Sequence, residues 1–266
     1  MRFPTSLLIF AAASLTFVAC RKNKDEDTPD LDYTSASDNT RADDIFSDIM
    51  GQVDKAVTDN GLRDACDPTV TFDTLSTPRT LTLDFGDVNC TSSNGRLRRG
   101  KILVSFTGRY RDEGTVITII PENYYVNNYL VLGTKTVTNL GLDANDHIHF
   151  AIAVNGSITA PDGSWIATHT AARTRTWIEG SNTPELSDDV YLITGGGSGV
   201  NRNGLPYTVA ITQALRVELD CAFITQGTVQ ITPATGIVRT IDYGNGSCDG
   251  TFTVTVNGHT FTVTIG

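Results

Sequence analysis

The chain has 266 residues, 39% of them hydrophobic and only 19% charged, so it is long enough to bury one large core or two smaller ones and too apolar to stay unfolded. Its 24 glycines and frequent threonines favour strands and turns over helices. A formal net charge of −10 repels phosphate backbones and sets nucleic acid aside as a partner.

Residues 1–19 are a secretory signal: Arg2 precedes an apolar run from Leu7 to Ala19 that is too short and wrongly flanked to span a membrane. The run ends in Phe17-Val18-Ala19-Cys20, which resembles the lipobox of bacterial lipoproteins, with phenylalanine where leucine is usual. The resemblance implies that Cys20 carries the lipid and becomes the mature N-terminus, with several acyl chains giving a firm membrane anchor. The alternative is an ordinary cleaved signal beside an incidental cysteine. Residues 20–40 are polar and nearly free of aliphatics, a disordered tether. Their acidic cluster, Asp25-Glu26-Asp27, resembles the surface-export signal of Bacteroidota lipoproteins. It implies an outer-membrane address, with the cell surface and the periplasmic face both open.

Residues 41–266 read as a single β-rich domain that opens with one helix. In "ADDIFSDIMGQVDKAVTD" the residues Ile45, Phe46, Ile49, Met50, Val53 and Val57 form one apolar stripe. Ser35 to Asp38 supply N-cap candidates, and Asn60-Gly61 supplies a stop.

Four cysteines remain beyond Cys20, and three connectivities are open in an exported protein. An internal echo favours one of them. Leu83-Asp84-Phe85-Gly86 through Cys90 matches Ile241-Asp242-Tyr243-Gly244 through Cys248, each after an Arg-Thr pair and each with a second cysteine upstream. The economical pairing is Cys66 with Cys90 and Cys221 with Cys248. The echo (66–108 against 221–258) suits either an internal duplication or convergent hairpin chemistry.

The remaining chain reads as antiparallel strands with turn signals at roughly ten-residue intervals, the pattern of a sandwich, a barrel or a long meander. Asn155-Gly156 and Asn257-Gly258 each suit a two-residue type I′ hairpin. The second sets Val256 opposite His259, Val254 opposite Phe261 and Phe252 opposite Val263 on an inward face. Thr255–Thr260, Thr253–Thr262 and Thr251–Thr264 then pair on the other face, a wet threonine surface.

No catalytic signature stands out. "GGGSGVNRNG" lacks the lysine of a phosphate loop and fails both GxGxxG and GxSxG, which leaves a flexible hairpin loop. His147 and His149 share a strand face and need a third ligand, such as His169 or Asp146, to chelate a metal; otherwise they are a partly exposed pair, and neither metal nor cofactor is expected. Asp188 and Asp189 point to opposite faces of a strand, so no carboxylate pair for glycoside hydrolysis emerges. In "ARTRTWIEG" alternation puts Arg173, Arg175 and Trp177 on one face, a ladder able to hold an anionic or sugar ligand by forked hydrogen bonds and stacking. It can equally be a solvent face paired with Glu179, Asp188 or Asp189. Tyr124, Tyr125 and Tyr129 add aromatic-amide character familiar from carbohydrate-binding surfaces, or are packing residues.

The run from "LTLDFGDVNC" to "VTNLG", with "RTRTWIEG", "DDVYLITG" and "RTIDYGNGSCDGTFTVTVNG", is similar to segments of uncharacterised β-rich lipoproteins of Bacteroidota. This resemblance implies a shared fold and envelope address and carries no activity or site residue. The expected function is that of a lipid-anchored binding or adhesion module without catalysis, for a glycan or an envelope protein. The alternatives are an accessory subunit of an outer-membrane assembly and, third, a hydrolase whose site the sequence hides.

Overall fold

The computed structural model describes residues 33–58, 66–93, 95–221 and 223–264. The signal, Cys20, most of the tether and the Asn60-Gly61 stop lie outside them. Among the described residues no helix is long and apolar enough to cross a membrane. One helix, α1 (Thr34–Thr58), precedes the strands β1 (Thr69–Asp73), β2 (Arg79–Asp84), β3 (Cys90–Thr91), β4 (Leu97–Phe106) and β5 (Val116–Val126). Then come β6 (Tyr129–Leu142), β7 (Ile148–Thr159), β8 (Ile166–Glu179), β9 (Val190–Val200) and β10 (Pro206–Glu218). The last four are β11 (Ile224–Pro233), β12 (Arg239–Asn245), β13 (Thr251–Val256) and β14 (His259–Thr264).

The fold is mainly β, and of the expected architectures it is the meander. Apart from β3, which pairs only with β4, the strands follow one another antiparallel in chain order from β1 to β14, and those two remain free edges. Thirteen strands spaced about 4.8 Å apart would span roughly 60 Å if laid flat. Yet the helix, about 10 Å across, shares one core with strands from β2 to β9, while Ala36 in its first turns packs on β10–β12. The sheet therefore curls around the helix. Along α1, contacts step backwards through the strands: Asp38 meets the β9–β10 turn, Asp43 meets β8, the Phe46 carbonyl meets β6, and Asp48 meets β4.

The helix stripe is observed at Ile45, Phe46, Ile49, Met50 and Val53, all at most 5% exposed, but Val57 is 64% exposed and lies outside it. The helix also starts earlier than apolar spacing suggests, so residues 34–40, read as tether, are its first turns. Ser35 and Asp38 are not caps. They are buried inside the helix because the β9–β10 turn satisfies them: Asn201 Nδ2 donates to Ser35 Oγ at 2.9 Å, and Arg202 donates through its backbone N and Nε to Asp38 at 2.8 Å.

The C-terminal hairpin has the expected register. Val256–His259, Val254–Phe261 and Phe252–Val263 share one face, and the three threonine pairs share the other. Asn257 and Gly258 both have positive φ. Asn155-Gly156 makes no turn; it lies in the middle of β7. A Cβ at Gly156 would sit 2.4 Å from the Phe46 ring, so glycine is there to let the helix approach the sheet. The glycine run from Gly195 is likewise strand, not loop. Tyr207 Oη lies 2.5 Å from where a Cβ on Gly199 would be. The turn between β5 and β6 falls instead at Asn127-Asn128, both with positive φ, inside a stretch whose apolar content reads as one strand.

Both disulfides, Cys66–Cys90 and Cys221–Cys248, are formed. The echo is also geometric. Asp84 accepts from Gly86 N and Asp242 from Gly244 N, each at 2.9 Å, and Phe85 and Tyr243 each pack on an aromatic ring 5.7 Å away. The same corner thus braces β2 and β12, near the two ends of the sheet. Cys221→Ser with Cys248→Ser is expected to cost about 3 kcal/mol of unfolding free energy by the loop-entropy argument, measured by denaturant titration. An unchanged midpoint would show that the corner holds without its bridge.

Candidate functional site

The arginine ladder faces inward, onto the helix. Arg173 Nη2 donates to both carboxylate oxygens of Asp43 at 2.8 Å, and His169 Nε2 lies 3.2 Å from the same carboxylate in a bent contact. Burial pushes the Asp43 carboxyl up, but the His169 contact and the Arg173 charge outweigh it and hold it at about 2. Arg175 donates to the Tyr110 hydroxyl and lies over the Phe150 and Tyr191 rings at 5.0 and 4.7 Å. Trp177 is 4% exposed, and its Nε1 donates to Asp189 Oδ1 at 3.1 Å. Lys135, also interior, donates to the Phe46 carbonyl at 2.9 Å; burial, then the Arg175 charge, push its amine down to about 8.

The tyrosines scatter. Tyr124 is fully buried, Tyr125 stacks on Arg99 at 3.7 Å, and Tyr129 lies under Arg41 at 4.4 Å beside Trp165. The six residues read as a binding surface are therefore not one open surface. The ladder forms the polar part of the helix–sheet interface, and its main counter-charge comes from Asp43 on the helix. His147 lies 3.7 Å from Asp143, and His149 Nδ1 is 3.1 Å from the Gly141 carbonyl. His169, the third ligand considered, is buried on β8 and stacks on Phe46. Among the described residues no cluster of three metal-ligating side chains occurs.

The open concavity lies elsewhere. Near its start helix α1 flanks the inner face of β12 and the last hairpin without closing over it. Val256 is 1% exposed, but Phe261 and Val263 are 42% and 37% exposed on the same inner face. Between them and the helix runs a groove of about 720 Å³, within the roughly 300–1,000 Å³ of small-molecule sites. Its floor is Ile241, Phe252, Val254, Phe261 and Val263. Its helix wall is Tyr33, Ala36, Ser37, Thr40, Arg41 and Asp44, and Arg239 lies at one side. Arg96 engages the Asp44 carboxylate at 2.7 and 2.8 Å. The groove therefore presents an apolar floor with a polar margin along the helix.

Comparison with family models, with curated proteins and with solved structures gives no match.

The residues of the groove were legible in the sequence only as a core-facing stripe. The alternation of Phe252, Val254, Phe261 and Val263 identifies the apolar face of the hairpin correctly. What alternation does not carry is whether anything covers that face.

Proposed function

We propose that this chain is a lipid-anchored protein of the bacterial outer membrane, attached through Cys20, and that it acts as a non-catalytic binding module. The groove between α1 and the last hairpin is its binding surface. The observation that supports this is the half-exposure of Phe261 and Val263 within an apolar floor, an arrangement that leaves aliphatic and aromatic surface in water unless a ligand covers it. The lining favours the aliphatic part of an amphiphile, or apolar side chains of a protein partner, over a glycan. A sugar needs convergent hydrogen-bonding groups on the floor, and these are scarce.

A second reading, as an accessory subunit of an outer-membrane assembly, is favoured by β14 itself. This free edge, His259–Thr264, carries no lysine, proline or acidic residue of the kind that blocks strand addition.

Titration with the fluorescent amphiphile anthroyloxy-palmitate tests the first reading. Val263→Glu places a charge in the groove and should weaken binding by about tenfold or more (~1.4 kcal/mol per decade). Thr262→Glu, on the opposite face of the same strand, should leave it unchanged. Equal effects of the two substitutions would remove the groove as the binding surface.

A further inference from the structure

We infer that one acyl chain carried at Cys20 is itself an occupant of the groove whenever the protein is out of a bilayer. The inference rests on the lipid anchor proposed above and adds a ligand to the groove.

It starts from where the N-terminal segment joins the fold. The helix begins at Thr34, and the residue before it, Tyr33, is part of the groove wall. Twelve residues separate Cys20 from Tyr33. A segment of that length reaches at most about 45 Å. A lipid on Cys20 is therefore tethered within reach of the groove, which raises its effective concentration there.

The chemistry of the floor selects the occupant. Ile241, Phe252, Val254, Phe261 and Val263 offer dispersion contacts and no charge, which suits an alkyl chain, since it has no hydrogen-bonding group to satisfy. The intervening peptide, "RKNKDEDTPDLD", has little to bury there. A second copy brings another formal charge of −10. In a bilayer the acyl chains lie in hydrocarbon and the groove is free for its other ligand. In water the groove shields one of them.

The full chain produced with its lipid, set beside Cys20→Ser, tests this. Intact mass first reads whether Cys20 is acylated. Cys20→Ser should bind anthroyloxy-palmitate at one site. The acylated chain in detergent-free buffer should bind it at least about tenfold more weakly, because the tethered chain competes. An acylated chain that binds the probe as tightly as Cys20→Ser overturns the inference and leaves the groove as a binding surface. No acyl mass on Cys20 overturns both the inference and the anchor. Failure of folded Cys20→Ser to bind removes the groove reading, and the inference with it.

Discussion

Asp43→Ala lowers the unfolding free energy by about 2–3 kcal/mol at neutral pH, because it strands a half-buried cation. The Asp43 carboxylate meets Arg173 at 2.8 Å through both oxygens and His169 at 3.2 Å, and the Arg173 and His169 side chains are 17% and 1% exposed. Alanine leaves the guanidinium facing the helix without its partner. Arg173→Met on the alanine background should recover much of the loss, because the stranded charge and not the missing contact dominates the cost. The pH dependence has a definite sign. The folded-state value, about 2, lies below the ordinary 3.8, so the contribution is complete above the unfolded value and disappears as pH falls from near 4 towards 2. Denaturant titration of the wild type and both variants across that range measures it. A loss below 1 kcal/mol would mean that water reaches the pair freely.

Lys135→Met acts in the opposite direction. The amine is interior, and its folded-state value of about 8 lies below the ordinary 10.5. Between those values the unfolded chain binds more protons than the folded one, so wild-type stability rises with pH from about 8 towards 10, by up to about 3 kcal/mol over the whole interval. The raised hydroxyls of Tyr191 and Tyr207 have the reverse sign and act only above their ordinary value of 10. Methionine keeps the apolar stem and removes the charge. The substitution removes the bond to the Phe46 carbonyl, which sits within the helix, and the attraction of the amine to Asp54 and Asp43. The variant is expected to be more stable than wild type by about 1–3 kcal/mol at pH 7 and to show no rise between pH 8 and 10. A slope that survives the substitution would assign it to another group.

Both predictions concern residues whose direction was not readable from sequence. Alternation puts Arg173, Arg175 and Trp177 on one face of a strand, but strand periodicity does not say which face meets the core. Charge normally argues for the wet side. Here the helix brings its own carboxylates to the inner face, so arginine is half-buried by pairing. The same pairing hid the helix start: Ser35 and Asp38 look like tether or cap residues until the β9–β10 turn is placed against them. Asn155-Gly156 misleads for a different reason. Its glycine serves a close approach by Phe46, and a turn signal and a contact signal have the same spelling. By contrast, the hairpin of residues 251–264 was legible to the residue, because a two-residue loop fixes register and threonine alternates without a break. The disulfides were legible because the corner motif occurs twice.

The central claim is that recognition occurs in the open groove and not at the arginine and aromatic ladder. Amide hydrogen exchange on Cys20→Ser, with and without anthroyloxy-palmitate, tests it most directly. Slowed exchange across residues 252–263 and the first turns of α1, with residues 173–177 unchanged, is the expected result. Slowing confined to residues 173–177 would contradict it.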